Sequence, residues 1–145
     1  MNKSEKPKLI HCQEGTKKDI YEVLINEGPF KDKTLKDIFM IAMALGFKHN
    51  VRVPIKKQEW LFRTDQLPDN SEDYWIFKSI AISTEKDLNV LLDEKKICNI
   101  AQEYANGGIS LLKEKVFSSS DFANFNKRFE SELRDILNEL LVNNE

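Results

Sequence analysis

His11, His49, Cys12, Cys98 and a scatter of carboxylates are the first groups to weigh for nucleophilic or acid–base chemistry in this chain. A nucleophile needs a base within reach, and the base needs a partner to orient it. His11 falls in a polar N-terminal stretch expected to be a mobile arm (residues 1–16). His49 follows a helix end, where an imidazole commonly meets the last carbonyls. The two cysteines are far apart and belong to no CxxC or Cys/His cluster, so reduced thiols are expected. Cys98, among Ile97, Ile100 and Ala101, is expected inside a helical core. Asp93-Glu94 and Glu72-Asp73 read as charges placed at helix starts. No H-E-x-x-H, EF-hand loop or Cys/His knuckle occurs. The expectation is therefore no catalytic residue, no metal ligand set, no cofactor and no enzyme. A hydrolase or nuclease using scattered carboxylates and a divalent ion is a third, default reading.

Binding chemistry is better represented. Between Gly46 and Arg63 the cations Lys48, Arg52, Lys56, Lys57 and Arg63 face a single acid, Glu59, which gives a local charge of +4. Phe47, Trp60 and Phe62 are interleaved with them. Cations to neutralise phosphates and an aromatic ring for stacking are what nucleic-acid binding requires. In the bland alternative, Trp60 and Phe62 anchor a loop whose lysines face water. Asn106-Gly107-Gly108 could expose backbone N–H groups as an anion nest, but a lone glycine pair more often ends a helix or allows a tight helix–helix contact. A third candidate lies at the C-terminus. Phe122, Phe125, Phe129 and Leu133 open an apolar stripe that either completes the core or buries against a partner chain, including a second copy.

These groups must be positioned by helices. Thr34 to Leu45 is capped at Thr34-Leu-Lys-Asp37, is apolar nearly all round, and is expected to stop at Gly46; such a helix sits at the centre of its domain. Thr16 is expected to cap a helix ended by Gly28-Pro29, Ser71 a helix through Ile82, and Thr84-Glu-Lys-Asp87 a short turn. Glu94 to Asn106 reads as a helix broken at Gly107-Gly108 and resumed to Val116. Ser120-Asp121 opens the last helix, whose apolar residues recur every three or four positions. Val51 to Ile55 reads as a brief extended piece. The fold class expected is mainly α: a compact single-domain bundle of about five to six helices over residues 17–145, built around the apolar helix 34–45.

At 145 residues the chain fits one domain and can bury its own core without metals or disulfides. A formal charge of −2 gives no overall attraction to nucleic acid or anionic lipid, so any such affinity must be local. The longest apolar run, Ile38 to Leu45, falls far short of the ~20 residues that span a bilayer. No membrane contact and a cytoplasmic location are expected, since the charged N-terminus carries no signal-peptide core.

The strings Asp37-Ile-Phe-Met-Ile-Ala-Met-Ala-Leu-Gly-Phe-Lys-His-Asn50 and Glu103-Tyr-Ala-Asn-Gly-Gly-Ile109 resemble those of Dnd system-associated protein 4, an accessory family of prokaryotic DNA phosphorothioation loci. The similarity spans roughly residues 30–113, with Val53-Pro54 and Ile80-Ala-Ile82, and leaves out the N-terminal arm and the Phe-rich helix. The resemblance implies a role beside DNA modification or anti-phage defence and carries over no catalytic residues. Two readings of function follow. One is a non-enzymatic adaptor that works by contact with a protein of a defence or DNA-modification complex, or by self-association. The other is a nucleic-acid-binding module, with DNA as partner, using the basic stretch 46–63.

Overall fold

Thr34 and Asp37 satisfy each other at the start of the most apolar segment. The Asp37 N–H donates to Thr34 Oγ1 at 3.2 Å, and the Thr34 N–H donates to Asp37 Oδ2 at 3.0 Å. This reciprocal cap uses two of the donors that a helix start leaves orphaned. The structure, a computed structural model, describes residues 5–28, 30–118 and 122–143, and of residues 118, 122–130, 132 and 143 the backbone alone. Its elements in chain order are β1 (Leu9–Gln13), a π turn (Lys17–Tyr21) continuing into α1 (Glu22–Asn26), α2 (Leu35–Lys48), β2 (Gln58–Arg63), α3 (Glu72–Glu85), α4 (Glu94–Ser118) and α5 (Phe122–Asn143). Short 3-10 turns follow β2 (Thr64–Gln66) and α3 (Leu88–Leu92). The fold is mainly α, as expected, with a small two-stranded sheet added.

The apolar α2 is the central helix. Ile38, Phe39, Ala42, Met43 and Leu45 expose nothing to solvent. Phe39 joins three elements, its ring lying edge-on to Phe62 of β2 at 5.4 Å and 5.7 Å from Phe77 of α3. On its other side α2 crosses α4, and α5 also touches it.

Glycine controls that crossing. A Cβ on Gly46 would collide with the Tyr104 carbonyl oxygen of α4, and one on Gly108 with the Ala42 carbonyl oxygen of α2. A Cβ on Gly107 would strike the Val51 carbonyl. The backbones therefore approach to a separation that no side chain would allow. This corrects two expectations. Gly46 does not end α2, which continues to Lys48 and turns at Asn50 with φ 55°. Gly107-Gly108 does not break α4, which runs unbroken for 25 residues, about 38 Å at 1.5 Å per residue. The tight-contact alternative holds and the anion nest does not, because those N–H groups lie inside a continuous helix.

The N-terminal segment also departs from expectation. Residues 9–13 of the expected arm form β1, paired antiparallel with β2, and Ile10 is fully buried. Thr16 does not cap a helix; its hydroxyl donates to the Gln13 carbonyl at 2.7 Å and closes the turn after β1. The pairing register shifts between Ile10 and His11, opposite Leu61. That bulge is why consecutive residues Leu61 and Phe62 are both buried. Val51 to Ile55 carries no strand; the strand begins at Gln58. Ser71 caps α3 as expected, accepting from the Tyr74 N–H at 3.1 Å. Thr84 caps nothing, since α3 passes through it and ends on left-handed Lys86; Asp87 opens the following turn by accepting from the Asn89 N–H.

Candidate functional site

The cations of the basic stretch 46–63 are held by different elements. Lys48 belongs to the last turn of α2. Arg52 is drawn onto α4, its Nε and Nη2 each 2.7 Å from Glu103 Oε1 and its guanidinium over the Tyr104 ring. The same segment is held by the Val53 N–H donating to the Glu103 carbonyl and by the Asn106 amide donating to the Val53 carbonyl. Lys57 pairs with Glu14 at 2.9 Å, and Arg63 pairs with Asp65 at 3.1 Å. Lys57 precedes β2 and Arg63 is its last residue, about 20 Å away at ~3.3 Å per strand residue. Among the described residues no acid pairs with the Lys56 ammonium. Three of the five cations are thus each paired with a carboxylate.

Trp60 keeps its place in the candidate site but acquires new neighbours. It is 52% exposed on the outward face of the sheet, directly across from His11. The Lys17 ammonium lies 3.9 Å from its ring centroid, a cation–π contact. Alternation along β1 sends Ile10 and Cys12 into the core and turns Leu9, His11 and Gln13 outward. Between this face and the first turns of α4 is a cleft of about 510 Å³. β1 contributes Leu9 and His11, and Gln58 of β2 also borders it. α4 contributes Lys95, Lys96, Asn99 and Gln102, at spacings that put them on one helical face. The cleft has fixed walls: the His11 N–H donates to Gln102 Oε1 at 2.7 Å, and Asp93 Oδ1 accepts from the Lys96 N–H at 3.1 Å to cap α4.

Sequence reasoning missed Lys17, His11, Lys95, Asn99 and Gln102 as site residues. The alternation Leu9-Ile-His-Cys-Gln13 is the signal that could have found the strand. Nothing local indicates that α4 lies beside it.

The buried polar groups behind the cleft are structural. The Tyr74 hydroxyl donates to Glu94 Oε2, both side chains being buried between α3 and α4. Asp93-Glu94, expected as a pair of helix-start charges, therefore divides: Asp93 caps and Glu94 joins the core. Lys6 covers the Tyr74 ring at 4.3 Å and donates to the Leu67 carbonyl and Asp69 Oδ1. Burial pushes the Cys98 thiol up to about 12, the Glu94 carboxylate adding to the rise while Tyr74 and Lys6 oppose it. Such a thiol stays protonated and unreactive at neutral pH. Cys12 is likewise raised by burial, and both thiols are free. His49 serves as the C-cap residue of α2, its N–H donating to the Leu45 carbonyl. Among the described residues, no three His, Cys, Asp or Glu side chains are grouped to hold a metal ion.

At the C-terminus, α5 docks through Ile136 and Leu140, which are buried, and Leu133 packs partly against the core. Leu141 and Val142 on the same helix remain exposed, Val142 at 69%. The side chains of Phe122, Phe125 and Phe129, expected as interface candidates, lie outside the described residues. Among the described residues no helix is long and apolar enough to cross a membrane.

The molecule is thus a mainly helical protein with a glycine-packed helix crossing and a small sheet that presents an aromatic ring beside a lysine-bearing cleft. The chain belongs to the family described as DNA sulphur modification system-associated protein 4, whose profile matches residues 14–130. The match is wider than the resemblance over 30–113 and takes in Lys17 and the start of α5. Comparison with curated proteins gives no match, and comparison with solved structures gives none.

Proposed function

We propose that this protein is a non-enzymatic adaptor of a DNA sulphur modification or anti-phage defence system, working in the cytoplasm through protein–protein contact. The observation that carries this reading is α5. It docks by Ile136 and Leu140 yet leaves Leu141 and Val142 exposed, and Phe117 at the end of α4 is also 48% exposed. Apolar side chains left open beside a docked face are what a partner chain, or a second copy, would cover. The family description, that of a system-associated protein, supports the same reading.

The test is co-expression with the other proteins of the modification system, read by size-exclusion chromatography with light scattering. Leu141→Glu with Val142→Glu is expected to release the complex or dissociate the dimer, with the circular dichroism unchanged. An assembly that survives the double variant, or a wild type that is monomeric and binds none of those proteins, overturns the reading.

The half-exposed Trp60 favours a second reading, a nucleic-acid-binding module. Anisotropy with a short DNA duplex, plain and phosphorothioated, tests it; binding should weaken with salt as displaced counterions return. Absence of binding at low salt removes it.

A further inference from the structure

Trp60, His11 and the cleft beside them have a combined chemistry that the basic stretch alone lacks. Trp60 presents a half-exposed indole from a rigid strand, and His11 is its cross-strand neighbour, so two flat rings stand side by side with Cβ atoms about 5 Å apart. The cleft next to His11 holds about 510 Å³, within the range that encloses a small ligand or a single nucleotide. Its α4 wall places Lys95 and Lys96 in the first helical turn, where the positive end of the helix adds to their charge and the capping Asp93 carboxylate, also in the lining, offsets part of it. Lys96 shares its charge with Glu85 at 3.2 Å, whereas among the described residues no acid pairs with Lys95. Asn99 and Gln58 bring exposed side-chain amides, which donate and accept and so can meet the edge of a base.

Stacking decides between duplex and single strand. In a duplex the base faces are covered by their neighbours, and an indole fixed on a strand cannot reach them. An unpaired base has a free face, and stacking on an aromatic side chain tolerates any base. A base that stacks on the face held by Lys17 displaces its ammonium, which then supplies a further cation for the accompanying phosphate.

We infer that the outer face of the sheet and its cleft bind an unpaired nucleotide. The base stacks on Trp60 beside His11, and the phosphate is met by Lys95, Lys96 and Lys17. The ligand class rests on the nucleic-acid reading above, but the site is different from the stretch 46–63, so the two can fail separately. The shared chemistry, an unstacked base with its phosphate, is found in single-stranded nucleic acid and in free nucleotides.

The experiment is anisotropy of a labelled single-stranded oligothymidine at low salt, with competition by unlabelled duplex of the same length and by free thymidine monophosphate. Single strand is expected to bind and duplex to compete poorly. Trp60→Ala should weaken binding at least about fivefold, from the loss of one stacked base. Lys95→Glu should weaken it and reduce the salt slope by about 0.7, one phosphate contact on a single strand. Lys56→Glu with Lys57→Glu should leave it unchanged. If the monophosphate competes as well as the strand per site, the free nucleotide is the ligand and the site still stands. If DNA binds but responds to Lys56 and Lys57 and not to Trp60 and Lys95, the inference falls and the broader reading survives. If neither strand nor monophosphate binds, the inference falls outright. Thermal melts of each variant check that Trp60→Ala and Lys95→Glu remain folded.

Discussion

The α2–α4 crossing and the outer face of the sheet are built on opposite rules. At the crossing, Gly46, Gly107 and Gly108 bring backbone against backbone, and removing a few atoms is what makes the contact. On the sheet face, Trp60 projects a large ring into solvent and Lys17 covers it. The first region admits almost no substitution on steric grounds; the second could change most of its residues with little loss of stability. The strings that carry the family resemblance, 37–50 and 103–109, meet at the crossing. Those strings thus report packing, and packing says nothing about ligands.

Gly108→Ala should have the largest effect. On helix propensity alone alanine would stabilise α4 by about 1 kcal/mol. The collision with the Ala42 carbonyl reverses the sign, and overpacking of this kind costs about 1–3 kcal/mol, a fall in Tm of several degrees for a chain of this size. A stabilised Gly108→Ala variant in a thermal melt would show that the two backbones can separate freely, and the contrast between the regions would collapse.

A second expectation concerns the buried network behind the cleft. The Cys98 thiol is raised from 9.0 to about 12, so its neutral form is favoured by folding. The stability it contributes is fully present below pH 9 and is lost as pH rises toward 12, at up to about 1.4 kcal/mol per pH unit. Denaturant unfolding of wild type and Cys98→Ala at a series of pH values should show the difference between them shrinking above pH 9. A constant difference would mean that the thiol is not shielded. At pH 8, iodoacetamide should label Cys98 rapidly only after unfolding.

The smallest effect belongs to the surface. Arg52→Ala removes a partly exposed pair with Glu103, worth roughly 0.2–1 kcal/mol. Lys56→Glu with Lys57→Glu should shift stability by no more than about 0.5 kcal/mol per site, as surface changes usually do. A double variant that unfolds would make the stretch 46–63 structural throughout and extend the rule of the crossing to the molecular surface.

Periodicity over long segments made most of the fold legible. The Thr34–Asp37 cap, the central position of α2, the Ser71 cap and the burial of Cys98 all follow from residues close together in the chain. The candidate site was half legible: Trp60 was found, its partners were not. Lys17 and His11 lie in other segments than Trp60, and only the folding of β1 against β2 brings them to its ring; Lys95 comes to the neighbouring cleft only because α4 packs beside β1. Glycine was the other blind spot, because the same residue ends a helix when solvent follows it and opens a contact when another helix does.

By itself the sequence determined which segments are helical, where two of them are capped and that α2 must be enclosed, since hydrogen-bond capping and apolar periodicity act over a few residues. Only the tertiary structure decided that β1 exists as a paired strand, that α2 and α4 continue through their glycines, and that the cations of 46–63 are held by different elements. Each of those outcomes depends on contacts between residues far apart in the chain, whose energies no local pattern records.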